Sequence, residues 1–313
     1  MEILVSGSLA YDRIMDFPGR FSGHILPDKI HLINVSFTVN GLVEKFGGTA
    51  GNIVYALSLL GEKPRILATL GYDCQRYIQR LEQRGVATDH IRIIPEELTA
   101  SAYITTDLAA NQITSFNPGA MKHPSRYDIA KTNASQCIGI VAPGNLKDMA
   151  EYARTYHELG IFWIFDPGQS LPAWDGSDLA RSIGQANMLI SNDYELQMIE
   201  NMTGLSVQQL LGMVEIIVTT KADEGCQVVT RAGTIKVAAV PVAAVVDPTG
   251  AGDAFRGGLI KGLVEGRPVE RAAQMGAVCG YYAVQAHGTQ EYSFTMEEFA
   301  ATLQTHFGPA PDA

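Results

Sequence analysis

The segment DPTGAGDAFRGG, residues 247–258, joins an apolar run to a glycine-rich turn and then to a helix-forming stretch. Residues 240–246 are strand-like, interrupted only by Pro241, and residues 254–263 have helical character, opened by Asp253. A strand, a turn built on Gly250-Ala251-Gly252 and a helix N-terminus gather unpaired backbone N–H groups around one point, which suits an anion. Asp253 sits beside that point. A carboxylate next to an anion hole fits transfer of a phosphoryl group to an alcohol, because the hydroxyl must lose a proton while the transferred group carries spread negative charge. Asp253 is the candidate base, and the amides of Gly250, Ala251 and Gly252 are the candidate anion hole.

Outward from this segment, β and α patterns alternate. Strands are expected at 3–6, 64–70, 90–94, 137–141, 161–165, 188–191 and 216–219, and helices at 50–60, 73–84, 269–285 and 295–306, with a hairpin at 225–237. Repeated β-α units of this spacing predict an α/β fold with a mostly parallel central sheet flanked by helices. Two stretches break the alternation. In 12–46, an alternating run from His31 to Val39 fits a half-exposed strand; in 99–117, residues 100–106 and 112–116 resemble a hairpin turning at 107–111. Residues 12–46 and 99–117 are expected to form a small β-sheet lid over a main nucleotide-binding domain made of 1–11, 47–98 and 118–313.

The 313 residues are 46% hydrophobic and 18% charged, a balance that excludes a disordered chain. A net charge of −10 without a basic stripe argues against a nucleic-acid partner. An acidic protein that handles a phosphorylated substrate must neutralise it locally, which points to a magnesium-nucleotide complex. Cys74, Cys137, Cys226 and Cys279 are scattered without a metal-ligand spacing and read as reduced, mostly buried thiols. No apolar stretch approaches membrane-spanning length and no signal peptide opens the chain, so no membrane partner is expected and the expected compartment is the cytoplasm.

Further polar positions accompany the opening motif. Gly47-Gly48-Thr49-Ala50-Gly51-Asn52 starts a helix; its small residues serve either tight helix–sheet packing or the approach of a ligand, with Gly48 clearing the backbone and Asn52 bonding hydroxyls. Asp12 follows the first strand and is either a turn residue or a second polyol contact. Asn192-Asp193-Tyr194-Glu195 follows a strand: a capping box, a weak magnesium site held through water, or both. There is no G-x-x-x-x-G-K-[ST], and Phe255 occupies the place of the third small residue of a dinucleotide fingerprint, so P-loop and Rossmann readings fit poorly.

DPTGAGDAF resembles the C-terminal signature of the ribokinase-like (PfkB) family of carbohydrate and nucleoside kinases, GGTAGN its N-terminal glycine pair, and NDYE its magnesium motif. Within the family, GSLAYDRIMDFPGRF, FNPGAM, DPGQSL, GDAFRGG and GTQEY are most similar to bacterial adenosine kinases of the mycobacterial type. The resemblance implies that Asp253 takes the proton from a ribose 5′-hydroxyl and that Gly250, Ala251 and Gly252 hold the γ-phosphoryl of ATP. It implies Ser8, Asp12, Gly48 and Asn52 on the ribose, Tyr103 and Phe116 packed against a purine or in a lid core, and Gln169 at the base edge. Asn192 and Glu195 would organise Mg2+, Thr220 and Gly225 would contact the nucleotide, and Asp247 and Thr249 would hold K+. Two positions depart from the pattern: Ala222 stands where the nucleotide loop usually has glycine, and Gln169-Ser170 where paired glutamines are usual. The expected activity is phosphorylation of adenosine to AMP; the alternatives are a sugar kinase of the same family and a non-catalytic nucleoside-binding protein. The exposed edge of the lid is an expected homodimer contact.

Overall fold

The computed structural model describes residues 1–309 apart from 33 and 110. In chain order the strands are β1 (Glu2–Ser6), β2 (Ala10–Asp16), β3 (Leu42–Gly47), β4 (Arg65–Leu67), β5 (Thr69–Gly71), β6 (Arg92–Ile94), β7 (Ala100–Thr106), β8 (Gln112–Asn117), β9 (Cys137–Val141), β10 (Phe162–Phe165), β11 (Met188–Asn192), β12 (Ile216–Thr220), β13 (Cys226–Thr230) and β14 (Gly233–Val237). The helices are α1 (Thr49–Leu59), α2 (Gln75–Gln83), α3 (Leu146–Leu159), α4 (Gly176–Gln185), α5 (Asp193–Thr203), α6 (Val207–Met213), α7 (Ala251–Val264), α8 (Val269–Ala283) and α9 (Met296–Phe307).

The main sheet runs β14-β13-β12-β11-β10-β9-β1-β4. From β4 to β12 every pair is parallel, and the hairpin β13–β14 closes one edge in antiparallel fashion. Both faces are covered, so the strands read as continuous apolar runs whose side chains divide by twos. Ile3, Val5, Ile138, Ile140, Ile164 and Val218 enter one core with α1, α7 and α8. Leu4, Val141, Trp163, Phe165, Leu189 and Ile217 enter the other, with α3, α4, α5 and α6. Among the described residues no helix is long and apolar enough to cross a membrane. All four cysteines are free, three of them buried.

A separate four-stranded sheet, β3-β2-β7-β8, holds the two stretches that broke the pattern. Strand β2 pairs antiparallel to β3 and parallel to β7. Asp12 therefore lies within a strand and not in a turn after one.

Three expectations need correction. The run His31–Val39, of which 33 lies outside the described residues, is not a strand; 27–32 form 3-10 turns, and the alternation of the rest reflects Phe37 packing at 4.9 and 5.1 Å on the rings of Phe17 and Phe21. Residues 240–246 are not a strand either: Pro241 has no N–H for a ladder, and the Val246 amide bonds instead to the carbonyl of Val284. The stretch 64–70 divides at Ala68, where the chain leaves β1 for β6; Gly71 then passes so close to the backbone of Glu97–Thr99 that a Cβ would collide with it.

Gly139 in β9 faces the ring of Tyr156, and a Cβ there would stand 2.6 Å from it. The Tyr156 hydroxyl is fully buried and has no hydrogen-bond partner among the described residues. Tyr156→Phe should raise the urea midpoint, worth ~1 kcal/mol through removal of an unpaired buried polar group. Gly139→Ala should lower it, by about 1–3 kcal/mol from overpacking.

Candidate active site

Parallel strands end along one edge, and the segments that follow them supply the site. Ser8 follows β1, Pro143 follows β9, Asp166 and Gln169 follow β10, and Asn192 and Thr220 close β11 and β12. The N-terminus of α7 meets this edge, leaving a cavity of about 370 Å³ bordered by Asp253, Gly250, Gly252, Asn192, Glu195, Thr220, Gln169 and Arg256. A crevice outside the carboxyl ends of parallel strands is the usual ligand site of open α/β sheets.

Gly250 adopts the left-handed conformation (φ 79°) and is the N-cap of α7, with no side chain capping the helix. The Ala251 amide, one of the three expected in the anion hole, turns back to the Pro248 carbonyl at 3.3 Å, which leaves those of Gly252 and Asp253 to a ligand. A Cβ on Gly250 would lie 2.8 Å from Thr289 side-chain atoms, so both conformation and space require glycine. The helix starts at Ala251, earlier than the sequence pattern indicated, and Asp253 is its third residue rather than its first. That carboxylate takes a 2.8 Å hydrogen bond from Asn52 Nδ2. Burial pushes its pKa up, while Arg256 and the Asn52 bond act in the opposite direction.

Arg256, one turn further along α7, is buried and pairs with the equally buried Asp166; its Nη2 donates to Oδ1 at 2.8 Å. The surrounding carboxylates, Asp166 first among them, hold the guanidinium protonated well above its ordinary value despite burial. Neither residue carried a role in the sequence reading, although an arginine amid Ala254, Phe255, Gly257 and Gly258 on an apolar helix was a visible signal.

The Asn192 and Glu195 side chains cap α5 reciprocally: Glu195 N–H donates to Asn192 Oδ1 at 2.7 Å and Asn192 N–H to Glu195 Oε2 at 2.8 Å. Burial, and then Asp166, raises the Glu195 pKa. Among the described residues no group of three or more His, Cys, Asp or Glu side chains is placed to hold a metal ion. Asp247 uses both oxygens on backbone amides, at 2.9 Å each from Thr249 and Gly288 N–H. These bonds outweigh burial and lower its pKa, and the carboxylate serves to tie 247–250 to 288.

The loop after β12 turns at Ala222, which takes a positive φ of 46°, a conformation that costs a non-glycine residue ~1–2 kcal/mol. At the position of the departure noted in the sequence, the backbone thus takes a conformation that glycine would adopt freely. Gly225 keeps φ 92°, and a Cβ there would collide with the Val237 carbonyl.

The remaining positions lie outside the lining of this cavity. Ser8 Oγ accepts the Thr49 N–H at 3.0 Å and so fixes the start of α1. Gly48 (φ 87°) passes within Cβ distance of the Ser8 carbonyl, 2.6 Å, and can only be glycine. Asn52 is 5% exposed with both ends occupied: Nδ2 on Asp253, and Oδ1 accepting from Gln290 Nε2 at 3.1 Å. Gln290, part of the GTQEY segment, was not singled out as a site residue.

Asp12, in β2, has its pKa raised to about 6 by burial and then by Asp247. Register places Asp12 opposite Ala102, and Ala102 opposite Phe116, so Asp12 and Phe116 share one face of the small sheet. Phe116 is 51% exposed there. Tyr103 is one residue out of step and belongs to the opposite face, where its hydroxyl accepts a 2.7 Å bond from Arg13. The two rings expected against a purine, or in a lid core, do not share a face.

Comparison with known proteins agrees with this geometry. Residues 21–295 match the family model for pfkB family carbohydrate kinases. A solved structure of Burkholderia thailandensis nucleoside kinase in complex with inosine is 39% identical, with a TM-score of 0.87 over 99% of this chain and 100% of that one. A nucleoside kinase of Methanocaldococcus jannaschii is 28% identical over 87% of this chain and 90% of its own length. An ATP-dependent ribose-1-phosphate kinase of Halopiger xanaduensis is 27% identical over 83% and 87%. The first two carry the broader name of nucleoside kinase and not that of adenosine kinase. With Asp253 beside an uncapped helix N-terminus and a family match across most of its length, the chain belongs to the pfkB family of carbohydrate kinases, phosphotransferases that act on a hydroxyl acceptor.

Proposed function

We propose that the protein is an ATP-dependent nucleoside kinase that phosphorylates the 5′-hydroxyl of a purine nucleoside, adenosine or inosine. The observation that carries the reading is the half-buried Asp253 carboxylate at the open N-terminus of α7, on the wall of the cavity and in the electrostatic reach of Asp12. Asp253 takes the hydroxyl proton as the oxygen attacks the γ-phosphorus of the nucleotide and the bond from that phosphorus to the β–γ bridging oxygen breaks, with ADP leaving. The first-turn amides of α7, including that of Gly252, face the charge that develops on the transferring group. Asp12 accepts from ribose hydroxyls, Phe116 offers its exposed ring to the base, and the small sheet covers the acceptor and excludes water. Thr220 and Gly225 shape the nucleotide loop, whose backbone is set by the turn at Ala222.

One carboxylate, Glu195, together with Asn192 on the cavity wall fits a magnesium ion held through water and carried mainly by the nucleotide phosphates. When bound, the ion spreads the phosphate charge. Potassium at Asp247 and Thr249 has less support, because both Asp247 oxygens already accept amides. The likeness to the Burkholderia enzyme bound to inosine favours a nucleoside acceptor. A sugar-phosphate acceptor is a second reading, on two grounds: the Halopiger relative, and Lys45, which lies opposite Asp12 in the register.

Asp253→Asn should lower turnover by about 10²–10⁴-fold while leaving nucleoside affinity within a few-fold by calorimetry; retained turnover would falsify the role of Asp253. Activity should be lost as pH falls through the Asp253 pKa, which lies above the ordinary carboxylate range because of burial, and should be retained at higher pH where the base is ionised. Rates with adenosine, inosine, ribose and ribose 1-phosphate identify the acceptor. Turnover confined to the free sugar or its phosphate would refute a nucleoside kinase. Phe116→Ala should raise KM for nucleosides about tenfold or more with little change for ribose, since a stacked base contributes ~1–3 kcal/mol.

A further inference from the structure

We infer that Gln290 is a positioning residue that fixes which end of the Asn52 amide faces Asp253, through a one-way chain of hydrogen bonds anchored on the Gly47 carbonyl. This rests on the reading of Asp253 as the base. A backbone carbonyl can only accept. Gly47 O takes the Tyr77 hydroxyl proton at 2.7 Å, so the Tyr77 oxygen is left as an acceptor for its next neighbour. That neighbour is Gln290 Nε2, at 3.1 Å, and its second proton goes to Asn52 Oδ1, also at 3.1 Å. With its oxygen claimed, Asn52 has only its NH2 to present to Asp253, at 2.8 Å.

The orientation matters because the two ends of an amide favour opposite protonation states of a carboxyl group. An NH2 donates to a carboxylate and stabilises the ionised base; a C=O in the same place requires the protonated acid. Gln290 is 2% exposed, Tyr77 is fully buried and Asn52 is 5% exposed, so no solvent competes for these bonds. The Gln290 backbone is itself held, its carbonyl accepting from Arg80 Nη2 at 2.7 Å. Gly51 completes the arrangement: a Cβ there would collide with the Tyr77 hydroxyl and lie 3.0 Å from Gln290 Nε2. The last small residue of GGTAGN therefore makes room for the chain.

The charged and titratable groups around Asp253 are Arg256 on its own helix, Glu195 from α5, Asp166 after β10, Asp12 from β2 and Tyr292 after α8. None of them is replaced in the variants that follow. Gln290→Glu retains shape and removes the paired donors, so Asn52 turns its NH2 toward the introduced carboxylate and its oxygen toward Asp253. Gln290→Met leaves Asn52 free to adopt either orientation.

The test is the pH profile of kcat/KM for the nucleoside, with thermal melting as a control for folding. The expected result for Gln290→Glu is an acidic limb displaced upward by ~1 unit and, on that limb, a loss of about tenfold, with Gln290→Met shifted less in the same direction. An acidic limb unmoved in both folded variants overturns the inference, whatever happens to kcat. Should Gln290→Glu fail to fold, Tyr77→Phe removes the acceptor that aligns Gln290; a smaller upward displacement supports the chain and an unmoved limb overturns it. Asp253→Asn separates the two levels: its inactivity beside unmoved limbs removes only the role of Gln290, whereas its retained turnover removes the base.

Discussion

Helix α7 lies against α1 at Gly257, where a Cβ would stand 2.5 Å from the Ala56 methyl and 3.2 Å from the Ile53 carbonyl. On its other side, Gly258 and Gly262 bring α7 equally close to Met275, Gly276 and Ala272 of α8. This packing is the constraint behind the site. One turn back along α7 is Asp253, and one residue back along α1 from Ile53 is Asn52, so the approach that glycine permits is also what joins the Asp253 carboxylate to the Asn52 amide. A larger residue at Gly257 would separate the helices close to the point where Asn52 meets Asp253.

The parallel sheet supplies the second half of the arrangement. Each crossover returns the chain so that the next strand ends at the same edge, and residues far apart in sequence, such as Ser8, Asp166, Asn192 and Thr220, meet there. Charge is then balanced locally. Asp166 and Arg256 form a buried pair, and the remaining carboxylates, Asp253, Glu195 and Asp12, all have raised pKa values with burial as the largest cause. The cavity of this acidic protein is thus bordered by an uncapped helix terminus and one charge-compensated arginine, with no lysine in its lining.

Much of this was legible in the sequence, because it rests on local signals. β7 and β9 coincide with their apolar runs, and the turn at Gly250 follows from a motif in which only glycine tolerates the conformation. What was not legible depends on tertiary choice. The apolar run at 240–246 resembled a strand, yet no free edge of the sheet receives it and Pro241 bars a ladder. Tyr103 and Phe116 both stand on the expected strands, but they take opposite faces because β7 and β8 pair Ala102, and not Tyr103, with Phe116. Gln290 and Tyr77 were invisible for the same reason: their partners lie 238 and 30 residues away in sequence.

All four strands of the small sheet are rooted at one end. Ala10 opens β2 beside Gly47, which closes β3, and beside Ala100, which opens β7; Asn117 closes β8 opposite Ser101. At the far end Phe17, Phe21 and Phe37 pack together, and Asp107 holds the Phe21 amide. The sheet is therefore a stiff plank fixed along one line of small residues, and any swing is a rotation about that line. At a strand rise of about 3.3 Å per residue, Asp12 lies roughly 7 Å from the axis and Asp16 roughly 20 Å. A given rotation about that line moves the tip about three times as far as Asp12, so the side chains near the line are the ones whose positions depend least on the angle of the sheet.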